Sequence, residues 1–272
     1  MSEKKMILSN GPLTAVLIQI KFSTIVQIAK YIPDIQDSLR KKYPLYDVLQ
    51  GENIQSGPHG EIEKQEFTQW VFSSNDYSRN IIVDNEKITY QVLECHEYDY
   101  GSFIHEFLRI VGSFDSIVDM SSLTRFGLRY INSIPEVDGL SWKDVLTEDF
   151  HGMTFPNKVS WFDNALMAFS TQRGVNLKSI GMVSNFRLKI TQNSNGPKYP
   201  QDIVTFPLGD MEFFKNRPQV TFVDIDHYIL FKAAEKEKTI GRLEQIFNEL
   251  HTVIEEVFFN SLITAKAKEL WK

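Results

Sequence analysis

The sequence holds one cysteine, Cys95, so no intramolecular disulfide can form and a disulfide-stapled scaffold is excluded. It also lacks long apolar runs. The first candidate, Ala15–Ile18, is cut by Gln19 and Lys21, far short of the roughly 20 residues of a membrane helix or the roughly 7–15 of a secretory signal. No lipidation motif marks the sequence. There is no G-x-S-x-G, no P-loop and no dinucleotide fingerprint, so no familiar catalytic or cofactor signature directs the reading. Positive charge is not in excess either: the formal net charge is -6. That argues against a nucleic-acid-coating protein, because Arg40, Lys41, Lys42, Lys266, Lys268 and Lys272 are too few to outweigh it. We expect a soluble, cytoplasmic bacterial protein with no membrane partner.

What is present is the material for a large core. The 272 residues include twenty Phe, ten Tyr and four Trp, and 42% of the chain is hydrophobic, enough for one large domain or two small ones. Val16, Ile18, Ile20 and Phe22 alternate with more polar residues, as a half-buried strand does. Thr24 and Gln27 have capping-box spacing, which predicts a helix carrying Ile25, Ile28, Ala29 and Ile32, kinked or restarted at Pro33. Residues 50–63, rich in glycine, read as a loop. Strands are expected at Phe67–Ser73, Arg79–Val83 and Lys87–Glu94, then a helix at Ser102–Ile117 with Phe103, Phe107, Ile110, Phe114 and Ile117 on one face. Ser122–Ile134 reads as a strand and Trp142–Phe150 as a short helix. Trp161–Thr171, Asn176–Thr191, Asp202–Phe206 and Gln219–Phe231 read as strands, the first two parted at Arg173-Gly174. A long helix over Lys236–Asn260 follows a heptad seam through Leu243, Phe247, Leu250, Ile254 and Val257, and a short one begins at Ser261 or Thr264.

Strands that follow strands through short turns predict an α+β fold with mostly antiparallel sheets. The expected architecture is two related subdomains, residues 1–140 and 141–272, with helices packed on sheet faces and a long C-terminal helix. A single large sheet gripping that helix is the alternative.

Arg125-Phe126-Gly127-Leu128-Arg129-Tyr130-Ile131-Asn132 resembles the hallmark R-x-G-L-R-Y-I-N strand of an uncharacterised, sporadically distributed bacterial protein family of about this length. Pro12-Leu13, Asp224-Ile225-Asp226, Leu250-His251, Phe258 and Thr264 match the same pattern in order. The family has no established activity, so the resemblance implies a common fold and no chemistry.

In a strand, Arg125 and Arg129 share a face on either side of Gly127, a shape suited to an anion because guanidinium is a planar fork. Asp224 and Asp226 share a face of the late strand. Two readings stay open: a structural ion-pair network, or a polar pocket for a small anionic ligand built from Arg125, Arg129, Tyr130, Asn132, Asp224 and Asp226. His96, Glu97, Asp99 and His105 form a loose cluster whose irregular spacing is unlike a metal site. Asp99 or Ser102 is expected to cap the following helix there. Cys95 and His96 would point to opposite faces of a strand, so no nucleophile–base pair is expected, and Cys95 reads as a small buried apolar residue. No catalytic residue, metal or cofactor is assigned. The function expected is a non-enzymatic binding protein, acting as a homodimer through a second stripe on the long helix or with a protein partner. The alternative is a sensor or enzyme for a small anionic ligand near Arg125 and Arg129.

Overall fold

The computed structural model describes residues 10–56, 62–136, 140–151, 168–193, 199–200, 202–203, 219–235 and 240–272. The first strand, β1 (Leu13–Phe22), buries Val16, Ile18, Ile20 and Phe22 as the alternation requires. The helix expected next does not form at Thr24. The Thr24 hydroxyl leaves the chain to donate to Glu86 (3.0 Å), and a 3-10 turn at Ile28–Lys30 precedes α1 (Ile32–Leu39). Pro33 lies in the first turn of α1, where its missing N–H costs nothing.

The expected loop over 50–63 is replaced by a long ladder between β2 (Leu45–Ser56) and β3 (Ile62–Ser73). Gly51 belongs to it for a packing reason. It faces Phe67, and a β-carbon on Gly51 would stand 2.7 Å from the tip of that ring. The glycine therefore marks a close approach and not a turn. β4 (Arg79–Val83) and β5 (Lys87–Leu93) follow as expected. α2 (Tyr100–Val118) starts where the Asp99 carboxylate accepts from the Ser102 amide at 2.7 Å. It buries Phe103, Phe107, Ile110 and Phe114 on one stripe.

β6 (Ser122–Pro135) carries the octapeptide. α3 (Trp142–Val145), capped by Ser141, and a 3-10 turn at Glu148–Phe150 stand in the segment read as one short helix. β7 (Ala168–Leu177) runs straight through Arg173-Gly174. The turn lies after Leu177, where Gly181 has φ +66°, so the strand break was expected too early. Residues 161–167 of that expected strand lie outside the described residues. β8 (Met182–Asn193) and β9 (Val220–Glu235) complete the sheet. Asp202 and Ile203, expected in a strand, lie in a turn and bend; residues 204–206 of that segment are not described. The long helix α4 (Leu243–Val257) keeps its seam inward, ends in a π-helical turn at Phe258–Leu262, and is followed by α5 (Ala265–Leu270), capped by Thr264.

The nine strands among the described residues form one antiparallel sheet in the order β2-β3-β4-β5-β1-β6-β9-β8-β7. The chain is therefore α+β, and the single-sheet alternative describes the connectivity: strands from both halves share one hydrogen-bonded surface. The inward faces of α1, α2 and α4 and the apolar face of the sheet join in one core cluster that runs from Phe72 to Ile190. The opposite face holds a smaller cluster in which Ala15, Leu93, Ile131 and Phe222 pack with Tyr199 and Ile203. No helix among the described residues is long and apolar enough to cross a membrane.

Candidate functional site

β6 lies between β1 and β9, with Arg129 directly opposite Asp226 in the register. The bonds run diagonally instead. Arg125 reaches across Gly127 to grip both oxygens of Asp226 (2.9 and 3.1 Å), and Arg129 takes Asp224 through a fork of two 2.8 Å bonds. Arg129 also holds Asp202, and Arg187 of β8 adds a 3.0 Å bond to Asp226. The chain of contacts continues from Arg125 to Gln19 and from Gln19 to Thr89, so it crosses β8, β9, β6, β1 and β5. Three guanidiniums meet three carboxylates. The central acids are nearly sealed, with Asp226 at 7% and Asp224 at 9% side-chain exposure. Burial lowers the Arg129 pKa, but its bonds from Asp224 and Asp202 outweigh that and hold it above the ordinary guanidinium value.

The gap expected at Gly127 is filled by its own neighbour. A β-carbon there would lie 2.8 Å from Cζ of Arg125, whose guanidinium also stacks 4.5 Å above the Tyr228 ring. Gly127→Ala therefore displaces the Arg125 fork, and we expect a loss of about 1–3 kcal/mol in urea unfolding. An unchanged midpoint would remove the packing reason for this glycine.

Tyr130 and Asn132 do not join the arginines. Strand alternation turns Tyr130 to the helix face, where its hydroxyl bonds to Tyr98 (2.7 Å) and to Nδ1 of His251 (2.9 Å). His251 stacks on Tyr100, with ring centroids 3.6 Å apart, and points Nε2 at Glu255 (3.3 Å). Asn132 has the parity of Tyr130, is buried, and donates to the Val223 carbonyl. The six-residue pocket read from the sequence is thus divided between the two faces of the sheet.

A second histidine was not singled out by sequence reasoning. His227, fully buried, sits between the Leu250 carbonyl (3.0 Å to Nδ1) and the Ser184 hydroxyl (2.7 Å to Nε2). The carbonyl only accepts, so Nδ1 carries the proton and the one Ser184 hydroxyl proton is contested between Nε2 and the Val175 carbonyl (3.2 Å). This is the geometry of an activated serine, but both residues have 0% exposure and no substrate reaches them. The available signal was the alternation that sets His227 between Ile225 and Ile229 on the apolar face.

The open site lies elsewhere, at the junction read as a loose histidine cluster. A cleft of about 1250 Å³ opens between the ends of β3, β4 and β5 and the first half of α2. Tyr90, Phe103 and Tyr98 form its aromatic wall, with Tyr90 and Phe103 stacked at 5.2 Å. Lys42, Tyr43 and Arg109 all donate to Glu106. Burial raises the Glu106 pKa, but those bonds outweigh it and take it down to about 2. Asp76 accepts from Ser74 and from Ser78, Asp99 caps α2, and Glu94 accepts from Tyr199. The Arg79 guanidinium and the His105 ring line the same cleft with no hydrogen bond or ion pair among the described residues. Sequence reasoning passed over Arg79 because a lone arginine at a strand start carries no motif.

Cys95 borders this cleft, yet burial pushes its thiol up to about 12. A thiol so rarely ionised reacts slowly. We expect Ellman's reagent at pH 8 to label Cys95 at least about tenfold more slowly than a free thiol; labelling at the free-thiol rate would show that the cleft exposes it. Among the described residues no group of three His, Cys, Asp or Glu side chains is placed to hold a metal ion.

No protein-family model matches the chain, and no curated protein matches its sequence.

Proposed function

We propose that this protein is a non-enzymatic binding protein that takes a polypeptide partner in the cleft between β4, β5 and α2. One observation carries the reading. The cleft presents to solvent an arginine that pairs with no described residue, over a floor of buried aromatic rings, whereas the Ser184–His227 pair is sealed in the core. Size supports a polypeptide over a metabolite, since small-molecule pockets run to about 300–1,000 Å³. The alternative, a sensor or enzyme for a small anion at Arg125 and Arg129, meets forks already filled by Asp226, Asp224 and Asp202.

The protein acts in the bacterial cytoplasm, where its one thiol stays reduced, and belongs with the R-x-G-L-R-Y-I-N family. Its halves are related. The described elements of residues 13–118 run strand, short helix, antiparallel strands, long helix, and those of residues 122–257 come in the same order; β1 and β6, the first strand of each, pair at the centre, which supports this reading.

A photo-crosslinking residue at Ser78, on the cleft, tests the function. We expect a covalent adduct with a polypeptide in native cells and none from the same residue at Lys189 on the other face. The adduct mass separates a heterologous partner from a second copy, and light scattering at micromolar protein reports the homodimer. No adduct from Ser78 or from a second cleft position, Ser102, would sink the proposal.

A further inference from the structure

We infer that the cleft captures the C-terminal carboxylate of its partner, with an apolar or aromatic last residue; this rests on the binding reading above. Arg79 is the anchor. It stands at the start of β4 opposite Val92 of β5 and close enough to lower the pKa of Tyr90, which burial raises overall. Its guanidinium is exposed and makes no bond among the described residues, unlike Arg125, Arg129, Arg109 and Arg187, each of which already holds a carboxylate. An arginine fork is geometrically matched to a carboxylate and forms two parallel bonds to it.

The charges around Arg79 choose the kind of anion. Four acids line the cleft, Asp76, Glu94, Asp99 and Glu106, against two permanent cations, Lys42 and Arg79. All four acids already accept hydrogen bonds, so none calls for a ligand cation. Their charge remains, however, and a dianionic phosphate would meet a wall of net negative sign. A single carboxylate meets one free guanidinium at much lower repulsive cost. Beside it Tyr90 and Phe103 are buried beneath the floor, and the half-buried Tyr98 ring is the aromatic surface left for an apolar last side chain to cover. Capture of a C-terminal carboxylate is an established mode of peptide recognition, and here the fork of Arg79 would supply the donors.

The test begins with random heptapeptides displayed with free C-termini and selected on the 272-residue chain. Enriched sequences are then synthesised as the free acid and as the C-terminal amide, which lacks the charge. We expect the acid to bind at least about tenfold more tightly than the amide, and Arg79→Gln to erase that difference with an unchanged thermal midpoint, since its side chain holds nothing in the fold. Acid and amide binding equally, with Arg79→Gln or the bulky Ser102→Trp at the exposed rim weakening both, would overturn the carboxylate anchor and leave the cleft as a peptide site. No enrichment, or peptides indifferent to both substitutions, would overturn the anchor and the proposed function together.

Discussion

Arg129→Ala is expected to cost about 3 kcal/mol of unfolding free energy, because it strands Asp224 nearly sealed and without its fork. Arg125→Ala should cost less: Asp226 keeps Arg187. The sharper result comes from double-mutant cycles. Arg129 with Asp224, and Arg125 with Asp226, should each couple by about 1–3 kcal/mol. Arg129 with Asp226 should couple distinctly less, although those two residues face each other in the register, because the bonds run along the diagonals. Urea unfolding of the four single and three double variants decides it. A dominant Arg129–Asp226 coupling would show that the forks pair straight across.

The second large effect is acid sensitivity from His227. Burial lowers its pKa to about 4 from the ordinary 6.5, against a smaller opposing effect of the Leu250 carbonyl. Between those values the unfolded chain binds the proton and the folded chain does not, so stability rises with pH across the window. The contribution is complete above about pH 6.5 and is lost as pH falls toward 4, about 3 kcal/mol in all. Replacing His227 by Gln, which cannot take up a proton, removes this slope. Wild type should therefore lose about 3 kcal/mol more than His227→Gln between pH 6.5 and 4; parallel losses would mean that the imidazole charges inside the fold. Glu106 acts in the same direction but lower, below the ordinary carboxylate range, since its pKa is held near 2.

The elements best read from sequence were those with one buried stripe. β1, β4, β5, α2, β6 and the α4 seam all have a periodic apolar face that packs into one core. Glycine misled inside strands. Gly51 sits under Phe67; Gly174, with open space around it, simply lies inside β7, and neither breaks a strand. Thr24 misled because a side chain that caps a helix in one context bonds a distant carboxylate in another. At the candidate site, alternation correctly set Arg125 and Arg129 on one face with two late-strand acids. It also set Tyr130 against them, and the sequence reading grouped it with them nonetheless. The diagonal pairing, Asp202 and Arg187 needed the order of strands, which no local pattern contains. The cleft was harder still. It is assembled from the ends of three strands and one helix, and the residue on which its proposed chemistry depends, Arg79, is set apart by its place in that cleft and by the lack of a partner among the described residues.

Amide chemical-shift mapping of a selected C-terminal peptide is the most direct examination of where this protein works. Shifts should concentrate at Ser78, Arg79, Tyr98, Gly101 and Ser102, residues of the cleft or its rim, with Gly127, Arg129 and Asp224 unmoved. A response centred on Gly127 and Arg129 would return the function to the arginine–aspartate face and contradict the cleft.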